Sequence, residues 1–139
     1  FIFLIAYIDI FAHICYHKCM DELDFEFYTR PNGHTEFKEY LDSLDVKSKA
    51  KLLARINIVA KKGINISIQH NWVKPLDKNL YEIRSRISSN QQRGLYFHVD
   101  GTHYVITHGF TKKTQKTPPR EIKHAKALRD EYFANRKEQ

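Results

Sequence analysis

Cysteine is nearly absent from this 139-residue chain, which has only Cys15 and Cys19. So sparse a pair excludes a disulfide framework, and without histidines beside it a structural zinc site lacks ligands. His13 and His17 do stand nearby, which leaves a zinc reading open for that one stretch. A membrane-length apolar run is missing too. FIFLIAYIDIFAHICY at 1–16 is short of the about 20 apolar residues a span requires, and Asp9 interrupts it. It also lacks the positive n-region and small-residue cleavage site of a signal peptide. Methionine occurs once, as Met20, where the chain turns polar with DELDFEF at 21–27. We therefore expect a single functional domain over 20–139 without membrane association, and an apolar extension at 1–19 outside it. An N-terminal membrane anchor is the competing reading of that extension. The cysteine-free remainder fits a reducing cytoplasm.

What is present is a core's worth of apolar residues and an excess of positive charge. Hydrophobic residues make up 42% and charged ones 28%, enough for one packed domain and too ordered a mixture for wholesale disorder. The formal net charge is +7. It is unevenly placed: residues 81–139 hold 12 Lys/Arg against 6 Asp/Glu, whereas 20–80 hold 10 against 9. The C-terminal half therefore carries the basic character, and a phosphate or nucleic-acid partner suits it.

Periodicity places the elements. Leu23, Phe25 and Phe27 alternate with Asp24, Glu26 and Tyr28, a half-buried strand ended by the turn Arg30-Pro-Asn-Gly33. Phe37, Tyr40, Leu41 and Leu44 form the stripe of a short helix. Asp45 caps a second helix with its stripe through Leu52/Leu53, Ile56 and Val59/Ala60, closed by Lys61, Lys62 and Gly63. The two helices are expected to form an antiparallel hairpin. Lys47, Lys49, Lys51 and Arg55 on its polar face read first as a solvated surface. Residues 64–79 read as a loop crossing the core, with Trp72 as a packing anchor, because His70-Asn-Trp72 and Lys74-Pro75 break the pattern.

Three strands follow. Tyr81, Ile83, Ser85 and Ile87 share one side of the first, opposite Glu82, Arg84 and Arg86. Arg93, Leu95, Phe97 and Val99 share one side of the next. Asp100-Gly101 is a hairpin signal of the type I′ kind, and the third strand runs from His103 to Phe110. A basic loop, TKKTQKT at 111–117, leads into a last helix with Thr117 as N-cap and Ile122, Ala125, Leu128 and Tyr132 on its inner stripe. The order β-α-α-β-β-β-α implies an α+β fold, with a helix hairpin on one face of an antiparallel sheet of three to four strands. The other face is expected to stay partly open and to carry the cations.

At LYEIR (80–84), RGLY (93–96) and HGFTKKTQKTPPREI (108–122) the chain resembles the RelE/ParE toxin superfamily, and most nearly its HigB-like, phage-derived branch. The helix hairpin and the WVKPLDKNLYEIR approach at 72–84 extend that resemblance over about 24–135. It implies a RelE-like fold and the toxin of a type II toxin–antitoxin pair, cutting mRNA on the ribosome without a metal or other cofactor. It also implies a helix-turn-helix antitoxin as partner. On matched positions it implies Arg93 and Arg84 at the scissile phosphate, with Lys112 and Lys113 supplying charge or a base. Tyr96 and His108 become candidates for stacking or proton transfer, and Arg86 and Lys116 for further phosphate contacts. The chain departs from the pattern where family endonucleases carry a C-terminal Tyr or acidic–aromatic pair, because Tyr132 sits on a core stripe. The general acid and base therefore stay unassigned. A ParE-like gyrase inhibitor and a catalytically inactive antitoxin-binding module are the alternatives.

Overall fold

Alternating side chains give the sheet two faces, and in the computed structural model both are covered. The structure describes residues 22–114 and 116–137. The apolar extension at 1–19, with its cysteines and His13 and His17, lies outside them, and so does the expected domain start at Met20.

Among the described residues the strands are β1 (Asp24–Phe27), β2 (Val73–Asp77), β3 (Leu80–Ile87), β4 (Asn90–Asp100) and β5 (His103–Lys112). They form one five-stranded sheet in the order β1-β5-β4-β3-β2. The last four are antiparallel, while β1 returns alongside β5 in parallel. The helices are α1 (Glu36–Ser43), α2 (Val46–Lys62), the short α3 (Ile64–Gln69) and α4 (Pro119–Lys137).

The helix hairpin forms where its signals lie. The Asp45 carboxylate accepts from the Ser48 amide at 3.2 Å, and Gly63 ends α2 at φ 84°. Phe37 and Leu41 of α1 and Leu52, Ile56 and Val59 of α2 pack on Val73, Ile83, Tyr96 and Ile106. α4 covers the opposite face, setting Leu128 and Ala125 against Phe97, Val105, Leu80 and Leu95. This corrects the expectation of an open face: Leu80, Leu95, Phe97 and Val105 make that face apolar enough to demand a cover.

Three local readings also change. Residues 64–77 are a one-turn helix and an edge strand, not a loop; Pro75 is tolerated because β2 bonds only to β3. In the β4–β5 turn only Gly101 takes a positive φ, 50°, so it is not type I′, which needs two such residues. Finally, α4 starts at Pro119, and Thr117 does not cap it: its hydroxyl donates to Glu82 Oε2 at 2.5 Å.

One irregularity decides which side chains meet. Leu95 pairs with His108 but Tyr96 with Ile106, so Thr107 is an extra residue in β5. Its hydroxyl donates to the Leu95 carbonyl at 3.1 Å, satisfying the backbone at the bulge. Strict alternation from Val105 would send Lys113 toward α4. The bulge sends His108, Phe110 and Lys112 there instead.

Candidate functional site

The register lays the polar residues of the α4 face out in rows. Arg84 lies opposite Arg93, Arg86 opposite Gln91, and Gln91 opposite Lys112; Lys74 of β2 lies opposite Glu82. At the end of this face, beyond the apolar contacts of α4, three cations surround one carboxylate. Glu82 is fully buried, and its Oε1 stands 3.4 Å from Arg93 Nε and 3.6 Å from Arg84 Nε. Neither Glu82 Oε1 nor Arg93 Nε has a hydrogen-bond partner. A buried carboxylate oxygen and guanidinium nitrogen that face each other at 3.4 Å without a hydrogen bond are costly, so this cluster is not explained by stability alone.

The members differ in access. Arg93 is 3% exposed, and its guanidinium turns along its own strand, donating to Gln92 O at 3.0 Å and to Gln91 Oε1 at 2.5 Å. Lys112 is equally covered. Arg84 keeps 29% of its side chain open and is the cluster's contact with solvent. Burial holds the pKa of Arg93 below its ordinary value, offset by Glu82 and reinforced by Arg84. Burial likewise depresses Lys112; Glu82 pulls it up again, while Arg93, Arg84 and Lys74 push it down. Lys112 therefore gives up its proton more readily than a free lysine.

Other sequence-derived candidates fall elsewhere. Arg86, Lys113 and Lys116 are exposed around the cluster, with Arg86 Nε donating to Ser88 O at 2.8 Å. Tyr96 is not brought to the cluster. It is fully buried on the helix-hairpin face, stacked on Tyr81 with centroids 5.2 Å apart, and so presents no ring to a base. His108 shares the α4 face, beyond Leu95 from Glu82, but it is buried, and both ring nitrogens are engaged. Nδ1 meets Thr107 Oγ1 at 3.1 Å and Nε2 meets Glu121 Oε2 at 2.8 Å. Burial lowers its pKa against the opposing pull of Glu121. Its ring also packs edge-on to His124, 4.7 Å away, which bonds Glu36 Oε1 at 2.8 Å. His108 thus joins the contacts that hold α4 down, together with Arg30 and Tyr28 on Glu131.

Sequence reasoning gave Glu82 no role beyond its place beside Arg84 and Arg86, read Thr117 as a helix cap and took Lys74 for part of a loop. Glu82 could have been found from parity, since it shares a side with Arg84 and Arg86. Lys74 could not, because its strand was read as a loop. Among the described residues no group of three or more His, Cys, Asp or Glu is arranged to hold a metal ion. No helix among them is long and apolar enough to cross a membrane.

No curated protein matches the chain. A family match does exist: the phage-derived Gp49-like proteins (DUF891) match residues 39–130, from α1 into α4. That span holds Lys74, Glu82, Arg84, Arg93, Lys112 and Thr117, the whole of the cluster just described. The chain belongs to the phage-derived Gp49-like family, a RelE/ParE-like family of toxin–antitoxin toxins.

Proposed function

We propose that the protein is the toxin of a type II toxin–antitoxin pair, on the HigB-like side of its superfamily, and that it cuts mRNA held on the ribosome. The observation that carries this reading is the excess of positive charge: half-buried Arg84 and buried Arg93 and Lys112 around the single carboxylate of Glu82. RNA cleavage of this kind joins the 2′-oxygen to the neighbouring phosphorus and breaks the bond from phosphorus to the 5′-oxygen. A proton leaves the 2′-hydroxyl and one reaches the departing 5′-oxygen, while negative charge grows on the phosphate oxygens.

In this scheme Arg84, the accessible guanidinium, takes the phosphate first. Arg93 and Lys112 behind it stabilise the charge that develops. Lys112, with its lowered pKa, is fitted to exchange a proton with one of the two oxygens. Glu82 is a positioning residue: it holds Arg84 and Arg93 at one point and ties the exit loop to the sheet through Thr117. Exposed Arg86, Lys113 and Lys116 form a basic rim for the flanking backbone. The partner is an antitoxin of helix-turn-helix type, and the ribosome places the activity in the cytoplasm.

The test is induction of the wild type, Arg84→Ala and Lys112→Ala, with 5′-end mapping of cellular mRNA. Arg84→Ala is expected to reduce cleavage by about 10²–10³-fold, the cost of removing one preorganised charge donor, while leaving the thermal midpoint near that of the wild type. New mRNA ends at wild-type frequency from an Arg84→Ala/Lys112→Ala protein would overturn the nuclease reading. DNA damage without RNA ends would instead indicate gyrase inhibition. Harmless expression of wild type would indicate an inactive antitoxin-binding module.

A further inference from the structure

A second cationic surface lies across β3 from the cluster, on the outer side of the helix hairpin. Over its 17 residues α2 carries Lys47, Lys49, Lys51, Arg55, Lys61 and Lys62 and no carboxylate. Lys49 is matched by Asp42 at 2.9 Å. Lys51 and Arg55, one turn apart, instead border a groove floored by Ala54, Ile58 and Trp72. The Arg55 guanidinium stands 5.3 Å over the Trp72 ring, and His70 stacks on the same indole at 4.6 Å and 14°. Arg55 is half-buried, and desolvation alone shapes its titration, with no carboxylate among the described residues opposing it. A desolvated guanidinium on an aromatic ring, without a counter-charge, is a place for an anion.

The groove is wired to the strand that carries the cluster. The Lys51 ammonium donates to the Arg86 carbonyl, and the Arg84 amide donates to the Trp72 carbonyl at 2.8 Å. β2 pairs with β3 as far as Val73 opposite Ile83 and the Trp72–Arg84 bond follows, so among the described residues no strand covers the edge of β3 beyond Arg84. The Arg86 side chain stands exposed at that edge. A chain lying on Arg84 therefore has a short cationic route past Arg86 to Lys51 and Arg55.

Two other accounts fit less well. A solvated, purely structural stack explains Arg55 on Trp72, but not a helix without a single acid aligned with an uncovered strand edge. An acidic amphipathic helix would seek anchors at i, i+3, i+4 and i+7. The exposed apolar residues of α2, Val46, Leu53 and Ile58, do not form such a stripe. Rings and cations without a stripe suit bases and phosphates.

We propose that the groove between α2 and Trp72 is a second RNA-binding subsite, holding backbone phosphate of the strand that passes around the edge of β3. The subsite rests on the reading of the cluster as an RNA site and extends it. Trp72 is the only tryptophan in the chain, so its fluorescence reports on this groove alone.

The probes are a dye-labelled 2′-O-methyl oligonucleotide of roughly ten residues, which cannot be cleaved, and a dinucleotide of the same chemistry, too short to reach from cluster to groove. Dye anisotropy reads binding anywhere, and Trp72 emission reads the groove. The long probe should change Trp72 emission saturably, and the short one should not. Lys51→Gln and Arg55→Gln should each weaken the long probe several-fold and flatten the plot of log affinity against log salt by about 0.7. Neither should affect the dinucleotide. Lys51 is exposed, so its substitution keeps the test valid if Arg55→Gln loosens Trp72. If the long probe binds by anisotropy with unchanged emission, and with full affinity to both variants, the groove is not a subsite and the cluster reading survives. If neither probe binds by either readout, the groove proposal falls, while the cluster reading stands or falls on the mRNA ends mapped in cells. If polyglutamate shifts Trp72 emission while the RNA probes do not, the surface serves an acidic protein, and the proposal is overturned.

Discussion

The two faces of the sheet are buried to similar depth but filled with different chemistry. Under the helix hairpin, Phe37, Leu41, Leu52, Ile56, Val73, Ile83, Tyr96 and Ile106 make an apolar layer. Under α4, apolar contacts share the face with Glu82, Arg93, His108 and Lys112, all buried. Burying charge is expensive, and an ion pair inside a protein rarely repays its desolvation. A chain that can fill one face with hydrocarbon yet keeps charges on the other is holding those charges for another purpose. The comparison supports the proposed site without reference to any motif.

The largest effect that would break this contrast comes from emptying the carboxylate. Glu82→Ala leaves Arg93 buried without its counter-charge and frees the Thr117 hydroxyl. Breaking a buried pair in this way costs about 3–5 kcal/mol, which urea unfolding would measure. Glu82→Gln still accepts the Thr117 bond and should cost clearly less. It also removes the one influence that raises the Lys112 pKa, so the pH–rate profile for cleavage should move toward acid. Equal loss of stability in the two variants would mean that Glu82 acts by shape and not by charge.

The hairpin face should respond to volume instead. A Cβ at Gly109 would fall within the Tyr40 ring and 2.9 Å from the Arg93 carbonyl oxygen, and the ring is already tied by a 3.0 Å bond from Tyr40 Oη to Thr111 Oγ1. Gly109→Ala is expected to cost about 1–3 kcal/mol by overpacking. A neutral Gly109→Ala would show that α1 shifts freely over β5, and that this face is less tightly set than its partner.

Much of this architecture was legible and some was not, for physical reasons. The hairpin could be read because Asp45, Gly63 and the apolar stripes agree with one another. α3 and β2 could not, since Ile64, Ile66 and Ile68 alternate like a strand but form a helical turn after Gly63, and Pro75 reads as a breaker although an edge strand accepts it. At the candidate site, Arg84 and Arg93 came from the family resemblance, and parity set only Arg84 beside Glu82 and Arg86. The choice between Lys112 and Lys113 did not. It rests on the Thr107 bulge, which no periodicity predicts and which turns one lysine inward and leaves its neighbour in solvent.

A smaller effect separates the faces by pH. Burial depresses the folded-state pKa of His108, so the unfolded chain binds the extra proton first. Stability from this group is complete above the ordinary value of 6.5 and declines as the pH falls through it toward the folded value. Each unit of separation is worth about 1.4 kcal/mol. Thermal midpoints of wild type and His108→Gln should therefore converge on acidification, since glutamine can keep a bond to Glu121 without titrating. Curves that diverge on acidification, the wild type gaining on the variant, would show that His108 is held protonated against Glu121 in the folded state, and that the α4 face carries one more charge than the contrast assumes.

The smallest expected effect tests the hairpin face where, among the described residues, a buried side-chain atom lacks a hydrogen-bond partner. Tyr96 is fully buried among Tyr81, Phe25 and Tyr104, and its hydroxyl has no hydrogen-bond partner. Burial drives its pKa well above the ordinary tyrosine value, so the hydroxyl stays neutral. Removing an unsatisfied buried hydroxyl relieves a desolvation penalty and loses no bond, against a small cavity where the oxygen was. Tyr96→Phe should thus be neutral to about 1 kcal/mol stabilising, with cleavage unchanged. A Tyr96→Phe protein that is stable but does not cut RNA would show that the hydroxyl reaches the reaction from beneath the hairpin. The division of the sheet into a structural face and a chemical face would then be wrong.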